Sequence, residues 1–393
     1  MSIDSALSAP PRRLINADGV LERHGRERLA LLAGGLRTGD PVADAVIAEF
    51  AERGATARAA LRTGLADGLA AVTDPPPAVA ALLAESERSI AGADPGLLER
   101  GDVPSITVDP FWSRIGFALA SLVHTYSAPG IARVLTGTGR LTGGAAARRL
   151  GETGLWRANA VAPGGLLRGA PGYQDSVQVR LLHARVRARA LEGGWDTGAW
   201  GVPINQVDTA RTWLDFTVVP FRALERVGIH LSEEEERDLY RYWHHVAALI
   251  GVDPRFYRDV HDHASAAALL ELIDATNAAP DDAARSLVGA LLEALAGPME
   301  ESLSLPRATA DALLAALTRL MQGEEAADAL GIERVDVAPF LPLLAMGNAG
   351  VRRWQRATPE SWRLALAEQV EYRRTEFAGL PGTEYRDHAA GTV

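Results

Sequence analysis

His183 has a side chain suited to metal-ion chemistry, because neutral imidazole is the commonest metal ligand among protein side chains. It lies in an apolar pattern of helical period, in which Val179, Leu182, Val186 and Ala190 recur on one predicted helix face. His183 falls at the edge of this apolar stripe. A single histidine in such a position is more often a core or boundary residue with a hydrogen-bonded ring. A functional role therefore depends on the residues that accompany it.

A second set of polar residues lies upstream. Arg149 and Thr153 are four positions apart in a predicted short helix over residues 148–153, so they share one helix face. Glu152 adds a carboxylate that can act as a general base or acid. The alternative for Glu152 is a solvated surface carboxylate. Loops rich in glycine and proline separate these segments, at 162–165, 169–172 and 193–206.

The composition excludes several classes of protein and site. The 393-residue chain has no cysteine, which excludes disulfides, thiolate metal sites, thiolate-ligated haem and cysteine nucleophiles. It carries 50 acidic and 40 basic residues, and its net charge of −10 argues against a nucleic-acid-binding protein. With 47% hydrophobic and 23% charged residues, it has the composition of a globular protein.

Other candidate sites lack their signatures. Histidines at 244–245 and in the segment 259–263 could indicate a non-haem metal site. However, the sequence has neither the Glu-x-x-His of di-iron bundles nor the His-Glu-x-x-His of zinc hydrolases. A nucleophile elbow and a dinucleotide-binding fingerprint are also absent. The Gly-rich segment 136–144 lacks the lysine and the spacing of a phosphate-binding loop. Trp195 and Trp200 flank a loop and could line a pocket.

The elements that must position these residues are helices. Alanine, leucine, glutamate and arginine dominate and alternating runs are rare, which predicts an all-α protein. We expect residues 1–393 to form a single domain, with a core at about 108–300 and extra helices at both ends.

Several helices can be placed from local signals. Asp40, followed by a proline, predicts a capped helix start. Ser232 begins a capping box. The pattern over 207–227 predicts one helix bent at Pro220. Further amphipathic helices are predicted at 265–296 and 306–331, and a last one from Thr358 onwards.

Residues 111–126 predict a helix that is apolar nearly all round and therefore buried. The apolar part is shorter than the roughly 20 residues of a membrane-spanning helix, and it carries Arg114. The N-terminus shows no apolar core of a signal peptide. We therefore expect a soluble cytoplasmic protein without a membrane span.

Five short segments follow one another in a characteristic order: Thr138-Gly-Arg140-Leu, Arg149-Leu-x-x-Thr153, Val179-Arg-x-x-His183-Ala-x-Val-Arg187, Trp195-Asp and Pro203-Ile-Asn-Gln206. Together they resemble the latex-clearing-protein and MpaB-like oxygenase family, over roughly residues 100–300. The resemblance implies an all-α fold with a globin-like core around a b-type haem.

The resemblance also implies roles for particular residues. His183 matches the family's proximal ligand of the haem iron, and a neutral imidazole suits that position. Arg149 and Thr153 match the polar pair near the distal side of the haem. Arg187, close to His183, suits pairing with a haem propionate, because guanidinium groups bind carboxylates well. His124 is either a distal or wall residue of the haem pocket or a buried structural histidine.

Two departures from the family pattern bear on the reaction. Rubber-cleaving members carry a lysine immediately before the threonine, where this chain has Glu152. They also have an acidic residue, credited as the base, in an upstream helix, whereas residues 111–151 contain no aspartate or glutamate. We therefore expect a haem-b-dependent oxygenase or oxidase that uses O2 or peroxide on a small apolar substrate, alkene-bearing or isoprenoid, with Glu152 as a candidate base.

Two alternatives stay open at this point. One is a haem-binding sensor or carrier without turnover. The other is a haem-free helical protein that keeps the shell of the family.

Overall fold

The computed structural model describes residues 3–137 and 144–376, and the regular elements in these two ranges are helices without any β-strand. The prediction of an all-α protein is therefore confirmed. A contiguous cluster of buried apolar side chains includes residues from Leu14 to Leu330. The globin-like character of the core and the single-domain extent stay predictions.

The α-helices before the central region are α1 (Ile3–Leu7), α2 (Ala17–Gly35), α3 (Pro41–Arg53), α4 (Ala55–Asp67), α5 (Pro77–Ala91), α6 (Pro95–Arg100), α7 (Val103–Ile106), α8 (Pro110–Ile115), α9 (Val123–Ser127) and α10 (Pro129–Gly137). The central helices are α11 (Gly144–Val161), α12 (Pro171–Glu192), α13 (Thr197–Trp200), α14 (Gln206–Phe216) and α15 (Val218–Glu225).

The C-terminal helices are α16 (Glu233–Leu249), α17 (Pro254–Tyr257), α18 (His263–Asp274), α19 (Asp282–Leu303), α20 (Arg307–Gln322), α21 (Glu324–Ala329), α22 (Leu341–Gln355) and α23 (Pro359–Glu376). Two 3₁₀ helices and one π-helical segment complete the described elements: Leu69–Ala71, Ala338–Phe340 and Gly116–Leu122.

Two predicted helix starts are confirmed by their capping hydrogen bonds. The Asp40 carboxylate accepts a hydrogen bond from the Ala43 N–H at 3.1 Å at the start of α3. At α16 the Ser232 N–H donates to the Glu235 carboxylate at 2.7 Å, and the Glu235 N–H donates to the Ser232 hydroxyl at 3.3 Å. These bonds satisfy N–H groups that have no partner inside the helix.

The predicted buried helix over 111–126 is present as α8, the π-helical segment Gly116–Leu122 and α9 in direct succession. All seven residues of the π-helical segment are buried. No single helix in the described ranges is long and apolar enough to cross a membrane. The pair Pro110–Ser127 and Pro129–Gly137, bent by 94°, meets that criterion by length and composition only.

The predicted bend at Pro220 is wrong in its position. The structure breaks the helix at Thr217, between α14 and α15, where φ is −115° and ψ is −89°. Pro220 lies in the first turn of α15, where an N–H group has no intrahelical partner to lose. A continuous helix would press the proline ring against the carbonyl of Phe216, so the break occurs directly after that residue.

Three other helices have different bounds from those predicted. The short helix over 148–153 is part of the 18-residue α11, which continues to Val161. The predicted helix over 265–296 is two helices, α18 and α19, and the predicted helix over 306–331 is also two, α20 and α21. Thr138 and Arg140 of the Gly-rich segment 136–144 lie outside the described residues.

Candidate functional site

Helices α11 and α12 pack side by side and carry the residues that the sequence singled out. The Trp156 indole N–H donates to the Ser176 hydroxyl at 3.1 Å, and the Asn159 amide donates to Asp175 at 2.7 Å. At the start of α12, a Cβ atom on Gly172 would lie 2.4 Å from the Asn159 carbonyl oxygen. Glycine therefore permits the close approach of the two backbones there.

A cavity of about 250 Å³ lies between these helices and their neighbours α9, α10 and α14. Most of its wall is aliphatic or aromatic, which suits an apolar occupant. The lining residues are Leu122, Thr125, Tyr126, Ile131, Val134, Leu135, Arg149, Glu152, Thr153, Trp156, Val179, Leu182, His183, Val186, Ile204, Asp208, Thr209, Thr212, Phe216 and Ile250.

His183 lines this cavity and is held in the neutral form. Burial lowers its pKa to about 4, and the positive charges of Arg187 and Arg149 act in the same direction, whereas Asp40 opposes them. None of the described residues hydrogen-bonds to the His183 ring. The neutral imidazole is therefore available to a ligand in the cavity, in contrast to a core histidine whose ring is satisfied by the protein.

Arg149, Glu152 and Thr153 line the same cavity as His183. The Thr153 hydroxyl donates to the Arg149 carbonyl oxygen at 2.8 Å, so its lone pairs stay available as acceptors. The Glu152 carboxylate lies 3.7 Å from the Arg148 guanidinium and is 32% exposed. The Arg149 guanidinium makes no hydrogen bond or ion pair within the described part of the chain. The structure thus brings the three predicted polar residues together with His183.

Arg187 does not line the cavity, although its sequence position predicted a contact with a cofactor. Its guanidinium pairs with the Asp44 carboxylate, with 2.7 Å from Nη2 to Oδ1, and donates to the Ile204 carbonyl oxygen at 2.8 Å. These partners occupy a side chain that is itself buried. The propionate contact of Arg187 stays a prediction; in this structure the guanidinium is paired with Asp44 and Ile204, and its positive charge lowers the pKa of His183.

His124 also lies outside the cavity wall, although the neighbouring Thr125 lines it. Its Nδ1 atom is 2.6 Å from Asp215 and its Nε2 atom is 3.2 Å from Asp274. The Arg211 guanidinium pairs with Asp274 at 2.7 Å and donates to the His124 carbonyl oxygen at 2.8 Å. These contacts favour the second of the two alternatives given for His124, a structural histidine, and its role at a haem stays a prediction.

The rival sites do not assemble. The described residues contain no group of three or more His, Asp or Glu side chains placed to hold a metal ion. The His244 ring contacts the Val260 carbonyl oxygen at 2.7 Å, and the His263 ring contacts the Tyr240 hydroxyl at 2.7 Å. Trp200 does not line the cavity, and it packs under the Arg133 guanidinium at 4.5 Å.

Tyr126 is a cavity residue that the sequence pattern did not reveal. It is 9% exposed, and its hydroxyl has no hydrogen-bond partner among the described residues. Burial raises the pKa of its phenol, and the nearby Arg149 charge opposes this shift, so the hydroxyl stays protonated and can donate. The clue in the sequence was a tyrosine at the end of an otherwise apolar helix, since buried tyrosine hydroxyls usually need a partner.

Asp208 is a second cavity residue that the sequence pattern did not reveal. It pairs with Arg13 at 2.6 Å, and both side chains are 6% exposed. Asn205 also donates to Asp208 at 2.8 Å and caps α14 by accepting from the Val207 and Asp208 N–H groups. The next residue, Gln206, donates to the Gly39 and Gly251 carbonyl oxygens. The hydrogen bonds of the segment 203–206 therefore hold the start of α14, which forms part of the cavity wall.

The chain is similar to known proteins over most of its length. The family model described as the ER-bound oxygenase mpaB/B'/rubber oxygenase catalytic domain matches residues 109–353. A solved structure of latex clearing protein LCP in the closed state is similar, with a TM-score of 0.63 and 20% sequence identity. The alignment covers 86% of this chain and 91% of that one, and at this identity it shows a shared fold. No curated protein matches the sequence significantly.

Proposed function

The chain belongs to the family of ER-bound oxygenase mpaB/B' and rubber oxygenase catalytic domains, and we propose from this premise that it is a haem-b-dependent oxidative enzyme. The proposed oxidant is O2 or peroxide. The proposed substrate is a small apolar molecule of the alkene-bearing or isoprenoid class. The observation that carries the proposal is the neutral, unpartnered imidazole of His183 in the wall of an apolar cavity.

The composition of the cavity wall supports a haem more than a metal ion held by the protein alone. A protein-only site for a transition metal ordinarily uses three or more side chains. His183 is the one imidazole among the described residues of the wall, and Asp208 is already paired with Arg13. A metal bound here would have to bring most of its ligands with it, as iron does in a porphyrin. The apolar wall suits the porphyrin ring, so the residues present fit the group.

In this proposal His183 would hold the iron through one ring nitrogen. When bound, haem supplies the redox chemistry that activates O2 or peroxide, which no amino-acid side chain in this chain supplies. Arg149, whose guanidinium has no partner among the described residues, is the cation available to a propionate or to a polar part of the substrate. The aliphatic wall binds the substrate and excludes water from it.

Three side chains of the cavity wall can donate or accept a proton or a hydrogen bond. The Tyr126 hydroxyl can donate a hydrogen bond into the cavity, and Thr153 can accept one because its own proton is committed to the Arg149 carbonyl oxygen. Glu152 stands where rubber-cleaving relatives have lysine, and its carboxylate can accept a proton. All 40 basic residues of this chain are arginines, so no other lysine replaces that group.

The experiment that tests the proposal is an absorption spectrum of the wild-type protein, expressed with haem precursor supplied, followed by a turnover assay. A Soret band, and incorporation of labelled oxygen from O2 or peroxide into apolar alkenes, are expected. A colourless protein would refute haem binding. A haem-loaded protein that incorporates no oxygen into any of these substrates would instead support the haem sensor or carrier.

A further inference from the structure

Large apolar side chains are exposed along the solvent-facing side of α22 and at Phe340, the residue immediately before it, and the charged Arg353 is exposed beside them. We call this surface the α22 apolar face; its large side chains, with their exposed fractions, are Phe340 (69%), Leu343 (74%), Met346 (72%), Val351 (51%) and Trp354 (56%). They recur at helical spacing on one stripe, with Gly347 and Gly350 between them. Exposed apolar residues scattered singly need no explanation, but a continuous stripe marks an interaction surface.

The opposite side of α22 faces the protein and carries the polar residues Asn348 and Arg352 together with Leu344, which packs against the core. The Asn348 side chain accepts a hydrogen bond from the Trp112 indole at 3.0 Å and donates to the Val227 carbonyl oxygen at 2.8 Å. Arg352 pairs with Glu235 at 2.7 Å, and both side chains are largely buried. Most of the large apolar side chains of α22 therefore lie on its solvent-facing side, in contrast to the usual surface helix. These polar contacts fix the rotation of α22 about its axis, so the apolar face cannot turn inwards without breaking them.

We propose that the α22 apolar face is the interface of a homodimer, in which α22 of a second copy packs antiparallel across a two-fold axis near Gly347. A two-fold interface uses the same surface on both copies, and Gly347 is the midpoint of the stripe from Phe340 to Trp354. Antiparallel pairing brings Phe340 of each copy beside Trp354 of the other, and aromatic side chains are enriched at such interfaces.

The two glycines support this occupant. A Cβ atom at Gly347 or Gly350 would meet nothing within 4 Å, so packing within the chain does not require glycine at either position. In the middle of a helix, glycine costs about 1 kcal/mol relative to alanine. Their absent side chains leave a shallow groove along the middle of the stripe, in which the backbone of another helix can approach closely.

The size of the face agrees with the requirement of a stable dimer. With about 200 Å² for a fully exposed large side chain, the exposed fractions give on the order of 600 Å² for the stripe. Leu364 on the adjoining α23, 59% exposed, adds to this area. A standard interface buries about 800 Å² on each partner, including its polar rim. The stripe is thus large enough to form the apolar centre of such an interface.

The first test is the mass of the full-length protein in solution. Light scattering or sedimentation at tens of micromolar is expected to give twice the chain's 41.8 kDa. The substitutions Leu343→Glu and Met346→Lys are expected to halve that mass, with an unchanged circular dichroism spectrum. Leu303→Glu is the matched control, because this leucine is 41% exposed at the end of α19, and it should leave the mass unchanged. A wild-type protein that is monomeric under these conditions overturns the proposal.

The second test locates the axis without disturbing the apolar residues. The chain has no cysteine, so one introduced thiol can form a disulfide only with the same thiol of a second copy of the chain. Gly347→Cys is expected to give a disulfide-linked dimer under mild oxidation, since the Cα atoms of a disulfide lie within about 7 Å. Leu303→Cys serves as the control and should stay a single chain on a non-reducing gel. A dimer that cross-links at 303 and not at 347 would contradict the proposed interface.

Discussion

Two neighbouring regions of this protein each contain a histidine, and the two rings differ in their hydrogen bonding. The His124 ring is bonded at both nitrogens, to Asp215 and Asp274. The His183 ring faces an apolar cavity and has no bond to any described residue. The first arrangement satisfies a buried polar group and fixes the contact between α9, α14 and α18. The second leaves a half-buried ring without a protein partner, so that a ligand in the cavity can supply one.

The pKa shifts of the two rings follow from this difference. For His124, burial and the Arg211 charge lower the pKa, but the carboxylates of Asp215 and Asp274 outweigh them and the net shift is upwards. For His183, burial and two arginines lower the pKa to about 4, with only Asp40 in opposition. The two carboxylates beside His124 therefore favour its protonated form, whereas burial and two arginines favour the neutral form of His183.

The sharpest test of the comparison is His183→Ala. Haem affinity is expected to fall by at least about 100-fold, since loss of even an outer partner of a metal ligand costs roughly 10- to 100-fold. The measurement is the Soret band after titration with haemin, with circular dichroism as the check on folding. His245→Ala is the control, because that ring lies outside the cavity wall and bonds the Ser89 carbonyl oxygen. A full Soret band in His183→Ala would remove the basis of the comparison.

Asp215→Ala tests the structural side. This carboxylate is fully buried between His124, Thr125 and Arg211, so its loss is expected to lower the free energy of unfolding by about 3–5 kcal/mol. Urea denaturation of the haem-free protein measures the loss. Arg12→Ala, which breaks an exposed ion pair with Asp196 and leaves the Asp196 cap of α13 intact, should lower the free energy of unfolding much less than Asp215→Ala. If both variants cost the same, the cluster around His124 does not stabilise the fold.

Tyr126→Phe and Tyr242→Phe extend the comparison to hydroxyl groups. The Tyr242 hydroxyl donates to the Ala160 carbonyl oxygen at 2.6 Å, and its removal is expected to cost about 1 kcal/mol or more of unfolding free energy. The Tyr126 hydroxyl has no described partner, so its removal should change the stability by less than about 0.5 kcal/mol. Urea denaturation of the two haem-free variants measures the loss of unfolding free energy in each. Equal losses would mean that the Tyr126 hydroxyl is hydrogen-bonded inside the protein.

The smallest effect concerns pH. A raised pKa means that His124 contributes stability fully below its unfolded value of 6.5 and loses it as the pH rises through the folded value. The difference in unfolding free energy between wild type and His124→Gln should therefore shrink as the pH rises above 6.5. Urea titrations from pH 6 to pH 9 measure this difference. A difference in unfolding free energy that grows with pH would mean that the pKa of His124 is lowered in the folded protein.

Much of the fold and part of the site could be predicted from the sequence. Helix starts at Asp40 and Ser232 depend on neighbouring residues, so local signals were sufficient to locate them. Spacing predicted that Arg149 and Thr153 share a helix face, and the family resemblance implied that they approach His183; the three residues line one cavity in the structure. The haem itself stays a proposal.

The partners that the sequence did not reveal for Arg187 and His124 lie far away in the chain. Arg187 was predicted to face a cofactor, but its partner Asp44 lies 143 positions earlier. His124 was a candidate for the pocket, but Asp274 lies 150 positions later. A local pattern shows that a side chain is buried or polar, whereas the choice of its partner depends on which helices meet. The sequence alone therefore placed these two side chains near the site without revealing that they were already paired.

The π-helical segment Gly116–Leu122 makes the positions of Thr125 and Tyr126 depend on the number of residues before them. Removing one residue from this segment would restore an α-helical turn and rotate the rest of the helix by about 100°. Both side chains would then leave the cavity wall, whereas exchange of one small buried residue for another would not move them. Evolution in this part of the chain is therefore constrained in length more than in composition, and relatives with the same cavity are expected to keep the residue count between Pro110 and Tyr126.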